Sequence, residues 1–298
     1  MGNIWFKEVR APFLLIPAIF VPVGLAIAWD HGGINLLTAL MTLIGALAMH
    51  ASVNMLNDYF DFKSGLDLAT TRTPFSGGSG VLPAGKLTPT SVLYAGLGTL
   101  GIGLGIGLYF VYSLAFDPVL ITILALATLS VVGYSSLISH WGLGELMAGA
   151  SFGPLLVLGT YYLQTRAVTA EPILVGTSLG ILVAAILYIN EFPDTPADEQ
   201  TGRRHLVVRW GKSKAAYRFQ IVMASSYAII VGGVVAGLVT PLALISLLAL
   251  PSAWSACRTL NRNYDKTNEL IPGMASTVMA TLLTGVLVFV AYVVMHFI

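Results

Sequence analysis

Nine stretches of roughly 18–26 residues are almost free of charge, at 12–29, 36–57, 92–114, 118–137, 141–163, 172–191, 215–238, 240–257 and 272–297. A helix needs about 20 mostly apolar residues to cross the hydrocarbon layer of a bilayer. Inside lipid, only helices and closed barrels satisfy every backbone N–H and C=O. Barrel strands would alternate apolar and polar residues, and these runs are apolar throughout. The expected fold is all-α: a polytopic membrane protein of nine transmembrane helices forming one domain over residues 1–298. Thr240-Pro241 is read as the turn between the seventh and eighth spans.

Composition agrees. Hydrophobic residues make up 56% of the chain and charged residues 10%, against about 25% charged in a soluble domain. The net charge of +1 gives no basic footprint for nucleic acid. A single cysteine, Cys257, excludes an internal disulfide and a cysteine-based metal site. No small-residue cleavage site closes the first apolar run, so a retained first helix is expected. The glycines of GLGTLGIGLGIG (96–107) lie in mid-span with no preceding strand, and read as close helix packing.

Basic residues set the orientation, because they gather on the cytoplasmic side. With the N-terminus inside, only Arg166 of the 15 lysines and arginines falls outside. The expectation is a multi-pass cell-membrane protein with a cytoplasmic N-terminus and an outer C-terminus. Two long loops then face the cytoplasm, at about 57–91 and 190–214.

Both loops open on the same pattern. NDYFDFKSGLD (57–67) and NEFPDTPAD (190–198) each contain Asn-x-x-x-Asp at the end of an even-numbered span, and the offset between them is 133 positions. This suggests two pseudo-repeated four-helix halves with a ninth helix added. Residues four apart share a helix face, so Asn57 and Asp61 point the same way if the span continues through the motif. Pro193 and Pro196 interrupt the second motif, so Asn190, Asp194 and Asp198 are expected to converge through a kinked or unwound end. Carboxylate and amide oxygens suit a hard cation, and Mg²⁺ is typically held by one or two carboxylates plus substrate phosphates. Two facing clusters suit two Mg²⁺ ions around one diphosphate, with Arg72, Arg203 and Arg204 as guanidinium partners for its remaining oxygens. A single aspartate of this kind is more often a solvated loop acid. Two matched clusters on one side are not.

The sequence resembles the UbiA superfamily of intramembrane prenyltransferases over nearly its whole length. The closest likeness is to the MenA branch, which prenylates 1,4-dihydroxy-2-naphthoate on the way to menaquinone. NDYFDFKSGLD (57–67), GLGELMAGASFGPLLVLGTYY (142–162) and GRRHL (202–206) carry it. The resemblance implies an isoprenyl diphosphate donor, an aromatic acceptor and two Mg²⁺ ions. It implies metal binding by Asn57, Asp61, Asp67, Asn190, Asp194 and Asp198. It implies catalytic roles for Asp61, Asp194 and Arg72, and substrate contacts from Asn57, Arg72, Asn190, Arg203 and Arg204; Asn54, one turn before Asn57, and Tyr134 are expected to face the substrate as well. There are departures from the family pattern. His205 replaces the usual Thr, Ile138 stands where many relatives have Lys (with His140 nearby), and the prolines of the second motif are unusual.

Around the site, Tyr59, Phe60, Phe62 and Tyr134 are available to face a carbocation, although interfacial aromatics are more often anchors. His50 reads as packing, and Glu145 as a structural pair or a proton acceptor. Three rival readings stand beside this one: another branch of the family with a hydroxybenzoate, homogentisate, porphyrinoid or glycerol phosphate acceptor; a repeat-built ion-coupled transporter; and a membrane scaffold. In transporters the ionisable groups sit near mid-membrane on broken helices. Here they sit at span ends.

Overall fold

The computed structural model describes residues 2–133, 142–200, 202 and 204–298. Tyr134, Ile138, His140 and Arg203 lie outside them. Among the described residues there is no strand, and eight helices are long and apolar enough to cross a membrane. In chain order with one shorter helix they are α1 (Ala11–Trp29), α2 (Leu36–Lys63), α3 (Pro89–Ser113), α4 (Pro118–Gly133), α5 (Gly144–Thr165), α6 (Ala170–Gln200), α7 (Lys212–Val235), α8 (Pro241–Asn263) and α9 (Thr267–Met295). The shorter one is α4, an apolar helix of 16 described residues. Each expected span has its helix, and Thr240-Pro241 does separate α7 from α8.

Two ends differ from expectation in a way that shapes the site. The second and sixth helices do not stop near the membrane edge. α2 runs to Lys63 and α6 to Gln200, so the acidic motifs are helical and the loops correspondingly shorter. α6 passes through Pro193 and Pro196 as continuous helix, and the expected unwinding does not occur. A proline inside a helix removes one N–H donor and crowds the preceding turn, at about 3 kcal/mol. Packing offsets this, because Phe192, Pro193, Ala197 and Asp198 are all buried. Thr195 also donates to the Glu191 carbonyl at 2.8 Å.

α6 is the central helix. It packs against α1, α5, α7 and α9, and its buried residues lie all round it, as they do on a helix enclosed on every side. α5 approaches α6 backbone to backbone. A Cβ on Gly153 would meet the Gly176 carbonyl oxygen at 2.4 Å, and one on Gly180 would meet the Gly149 carbonyl oxygen at 2.2 Å. α3 packs along α2, where Gly96 receives Leu56 and Gly103 receives Met49. Gly98, Gly101 and Gly105 face open space instead, so only part of the expected glycine packing is realised. The outer faces of α3 and α4 expose Leu97, Ile102, Leu108, Ile121 and Leu129. Such a face is costly in water and suited to lipid.

Candidate active site

One cavity of about 400 Å³ lies between α2, α3, α4, α5 and α6. Its polar end is built from the last turns of α2 and α6, and its other end is apolar. Asn54, Asn57 and Asp61 of α2, Asp67 of the following loop, and Asn190, Asp194 and Asp198 of α6 all line it. The fold thus brings the two acidic motifs onto one space. On α6, the three residues recur every four positions and share a face.

The first motif is internally paired, with Asn57 Nδ2 donating to Asp61 Oδ2 at 2.9 Å. Asn54 donates to the Val9 carbonyl at 2.9 Å. The next loop then folds back over the motif. Gly77, Gly78 and Gly80 all have positive φ, and a Cβ on Gly78 would lie 2.8 Å from Asp67 Oδ1. Only glycine allows this approach at that backbone conformation. The loop reaches α6 as well. Asn190 Nδ2 donates to the Phe75 carbonyl at 3.0 Å, and Ser76 lines the same cavity as Asp194.

Buried Asp67, 4% exposed, is pushed up to about 7 by its burial and by Asp58 and Asp61, against the pull of Arg10 and Arg72. Beneath this lies a second buried group. Arg10 pairs with Asp58, the Ser79 N–H donates to Asp58 Oδ2 at 2.8 Å, and the Ser79 hydroxyl donates to Glu8 Oε2 at 2.8 Å. Glu8 is pushed up to about 7 by burial and by Asp58, with Ser79 and Arg10 opposing. Burial disfavours the Arg10 cation, but Asp58 outweighs that and holds it charged.

At the α6 end, His205 sits between two carboxylates, with Nε2 3.1 Å from Asp198 Oδ2 and Nδ1 3.1 Å from Glu191 Oε2. Burial works against the charged ring, but the two hydrogen bonds outweigh it and push His205 up to about 10. Glu145 is buried and accepts from the Leu206 N–H at 3.3 Å. It also lines the cavity.

Several expected residues stand elsewhere. Arg72 and Arg204 do not line the cavity, and both are exposed. The Arg72 guanidinium donates to the carbonyls of Gly77 and Asp67, each at 3.1 Å. Tyr59, Phe60 and Phe62 do not line it either, whereas Phe13, Phe75 and Phe152 do. Arg10 is the one lysine or arginine lining the cavity among the described residues. Sequence reading missed it because its partner is 48 positions away.

The donor set fits a hard cation. Asn190 Oδ1, Asp194 Oδ1 and Asp67 Oδ2 are buried oxygens without a hydrogen-bond partner among the described residues. Such oxygens are costly unless something pairs them. Among the described residues, no three His, Cys, Asp or Glu side chains converge closely enough to hold a metal ion by themselves. Mg²⁺ does not require that, since it keeps several waters and takes substrate phosphates as ligands.

The family model described as the UbiA prenyltransferase family matches residues 14–274. The chain belongs to the UbiA prenyltransferase family. Among its relatives, the 1,4-dihydroxy-2-naphthoate octaprenyltransferase of Bacillus subtilis (strain 168) is 28% identical, covering 100% of this chain and 94% of that one. The enzyme of the same name from Mycobacterium tuberculosis is 32% identical, covering 89% of each chain. In fold, this UbiA-family chain is similar to a UbiA homolog from Aeropyrum pernix K1, with a TM-score of 0.69 at 15% identity over 96% of this chain and 98% of that one. It is also similar to a UbiA homolog from Archaeoglobus fulgidus bound to GPP and Mg²⁺, with a TM-score of 0.65 at 12% identity over 95% and 99%.

Proposed function

We propose that this chain transfers a polyprenyl group from an isoprenyl diphosphate to 1,4-dihydroxy-2-naphthoate, with decarboxylation, in menaquinone biosynthesis. One observation carries the proposal: two acidic helix ends share a single cavity whose far end is apolar. The acceptor rests on the likeness to relatives named for that substrate, which spans the whole chain.

In this reading Asn57, Asp61 and Asp67 hold one Mg²⁺, and Asn190, Asp194 and Asp198 a second. When bound, Mg²⁺ supplies positive charge against the diphosphate as it leaves. Arg10 adds a fixed cation at the same place, and fixed charge aimed at developing charge lowers the barrier. The bond between the prenyl C1 and the diphosphate oxygen breaks, and its electron pair leaves with the diphosphate. The ring carbon bearing the carboxylate bonds to C1. The carboxylate then departs as carbon dioxide, returning its electron pair to the ring. The apolar walls keep water from the allylic cation. Glu191 and His205 orient the second cluster through Asp198. The motifs and the N-terminus face the cytoplasm, the side on which the basic residues gather.

The test uses purified protein in detergent with a radiolabelled polyprenyl diphosphate. Dihydroxynaphthoate and hydroxybenzoate are offered in parallel, with Mg²⁺ or with EDTA. A labelled, decarboxylated naphthoquinol formed only with Mg²⁺ is the expected product. Product with hydroxybenzoate alone overturns the acceptor. No transfer to any aromatic, by folded protein that binds the diphosphate, overturns the reaction.

A further inference from the structure

Two polar atoms in the deeper part of the cavity are not used by the chemistry above. His50 is 5% exposed and lines the cavity, and its Nδ1 is buried with no hydrogen-bond partner among the described residues. Ser151 also lines the cavity, and its Oγ is likewise buried and unpartnered there. His50 is on α2 and Ser151 on α5, so the two orphans come from different helices. His50 is seven residues before Asn57 on one continuous helix. It therefore lies on nearly the same face, about 10 Å further into the membrane.

The backbone of α5 is arranged to present this wall. Gly149 and Gly153 turn towards α6, where a Cβ on either would strike the backbone of Gly180 or Gly176. Ser151 lies two residues on from Gly149, roughly 200° round the helix, and so faces away from α6. Residues Ser151–Leu155 form a π turn, a local widening found often at functional sites. The Phe152 ring stands 4.3 Å from the His50 ring, centroid to centroid, at 53°. Tilted against one another, the two rings form an aromatic wall with one polar edge.

We infer that His50, assisted by Ser151, binds the aromatic acceptor through a hydroxyl or carboxylate on its ring. A buried polar atom in an apolar wall is unfavourable until a ligand pairs it. An imidazole nitrogen donates or accepts according to its tautomer, and a phenolic hydroxyl does both. The position is right as well. The allylic carbon is released beside the diphosphate at the level of Asn57 and Asp61, and an acceptor reaching from there to His50 lies against the Phe152 ring. This inference rests on the prenyl-transfer reading and adds to it the residues that choose the acceptor.

The test is equilibrium binding of labelled dihydroxynaphthoate to the full-length protein, beside binding of the isoprenyl diphosphate and turnover. His50→Phe and His50→Leu are expected to weaken acceptor binding by about tenfold or more while leaving diphosphate binding unchanged. Ser151→Ala gives a smaller loss, and His50→Gln, which keeps a hydrogen-bonding group, stays within about threefold of wild type. Unchanged acceptor binding in His50→Phe and His50→Leu overturns the inference and returns His50 to packing. Equal loss of diphosphate and acceptor binding overturns it too. Wild-type protein that binds the acceptor but never turns over contradicts prenyl transfer, while the binding comparison still decides His50.

Discussion

Asn190 Nδ2 donates a 3.0 Å hydrogen bond to the carbonyl of Phe75, so the loop behind the first acidic motif is fastened to the helix carrying the second. The fastening uses the nitrogen of the amide and leaves its oxygen, Oδ1, buried and unpartnered among the described residues. One side chain thus ties the two halves together and keeps an acceptor free for a cation. Around it, the same loop is held by Thr73 on Ser76 and by Arg72 on two carbonyls.

The His205 bridge gives a first prediction. His205 is the shared partner of Asp198 and Glu191. His205→Leu leaves buried Asp198 and half-buried Glu191 without their shared partner, and removing one member of a buried charge pair costs about 3–5 kcal/mol. A large drop in the thermal midpoint in detergent is expected. A midpoint within about 1 °C of wild type would show that the bridge contributes nothing.

Glu8 predicts a pH dependence. Its carboxyl titrates near 7 in the folded protein, against an ordinary value of 4.5. Between those values the folded chain holds a proton that the unfolded chain has lost. Stability therefore falls as pH rises from about 4.5 to about 7, and is level above that. Glu8→Gln cannot ionise, so its melting temperature relative to wild type should rise across that window. Parallel curves for the two proteins would contradict the assignment.

The α5–α6 contact predicts a packing effect. Gly180→Val places side-chain atoms where the Gly149 carbonyl already lies. Small residues are what allow backbones to approach in lipid, and overpacking costs about 1–3 kcal/mol or more. The expected result is reduced thermal stability together with reduced acceptor turnover, since α5 carries the cavity wall. Gly101→Val, on the open face of α3, has room for its side chain and serves as the control.

The span map was readable from the sequence, because length and apolarity are what a bilayer demands of a helix. The paired motifs at span ends were readable for the same reason. The continuation of α2 to Lys63 and of α6 to Gln200 was not. Polar residues and two prolines look like a loop until the packing of Phe192, Pro193 and Ala197 is known, and that packing is tertiary. Arg10 and Glu8 were missed because their partners, Asp58 and Ser79, are distant in sequence. A signal did exist in the glycines of SGGSG (76–80), which mark a backbone that must press against something, here Asp67 and Arg72. His205 was visible as a departure from the family pattern, and its role needed the two carboxylates to be seen beside it.

The central claim is that both acidic clusters act on one diphosphate through Mg²⁺. The most direct measurement is the binding of an isoprenyl diphosphate to wild type, Asp61→Asn and Asp194→Asn, each with Mg²⁺ and with EDTA. Wild-type binding should be strong only with Mg²⁺, and each single variant should lose most of that Mg²⁺-dependent gain. Undiminished Mg²⁺-dependent binding in either variant would show that one cluster alone holds the diphosphate and would contradict the shared site.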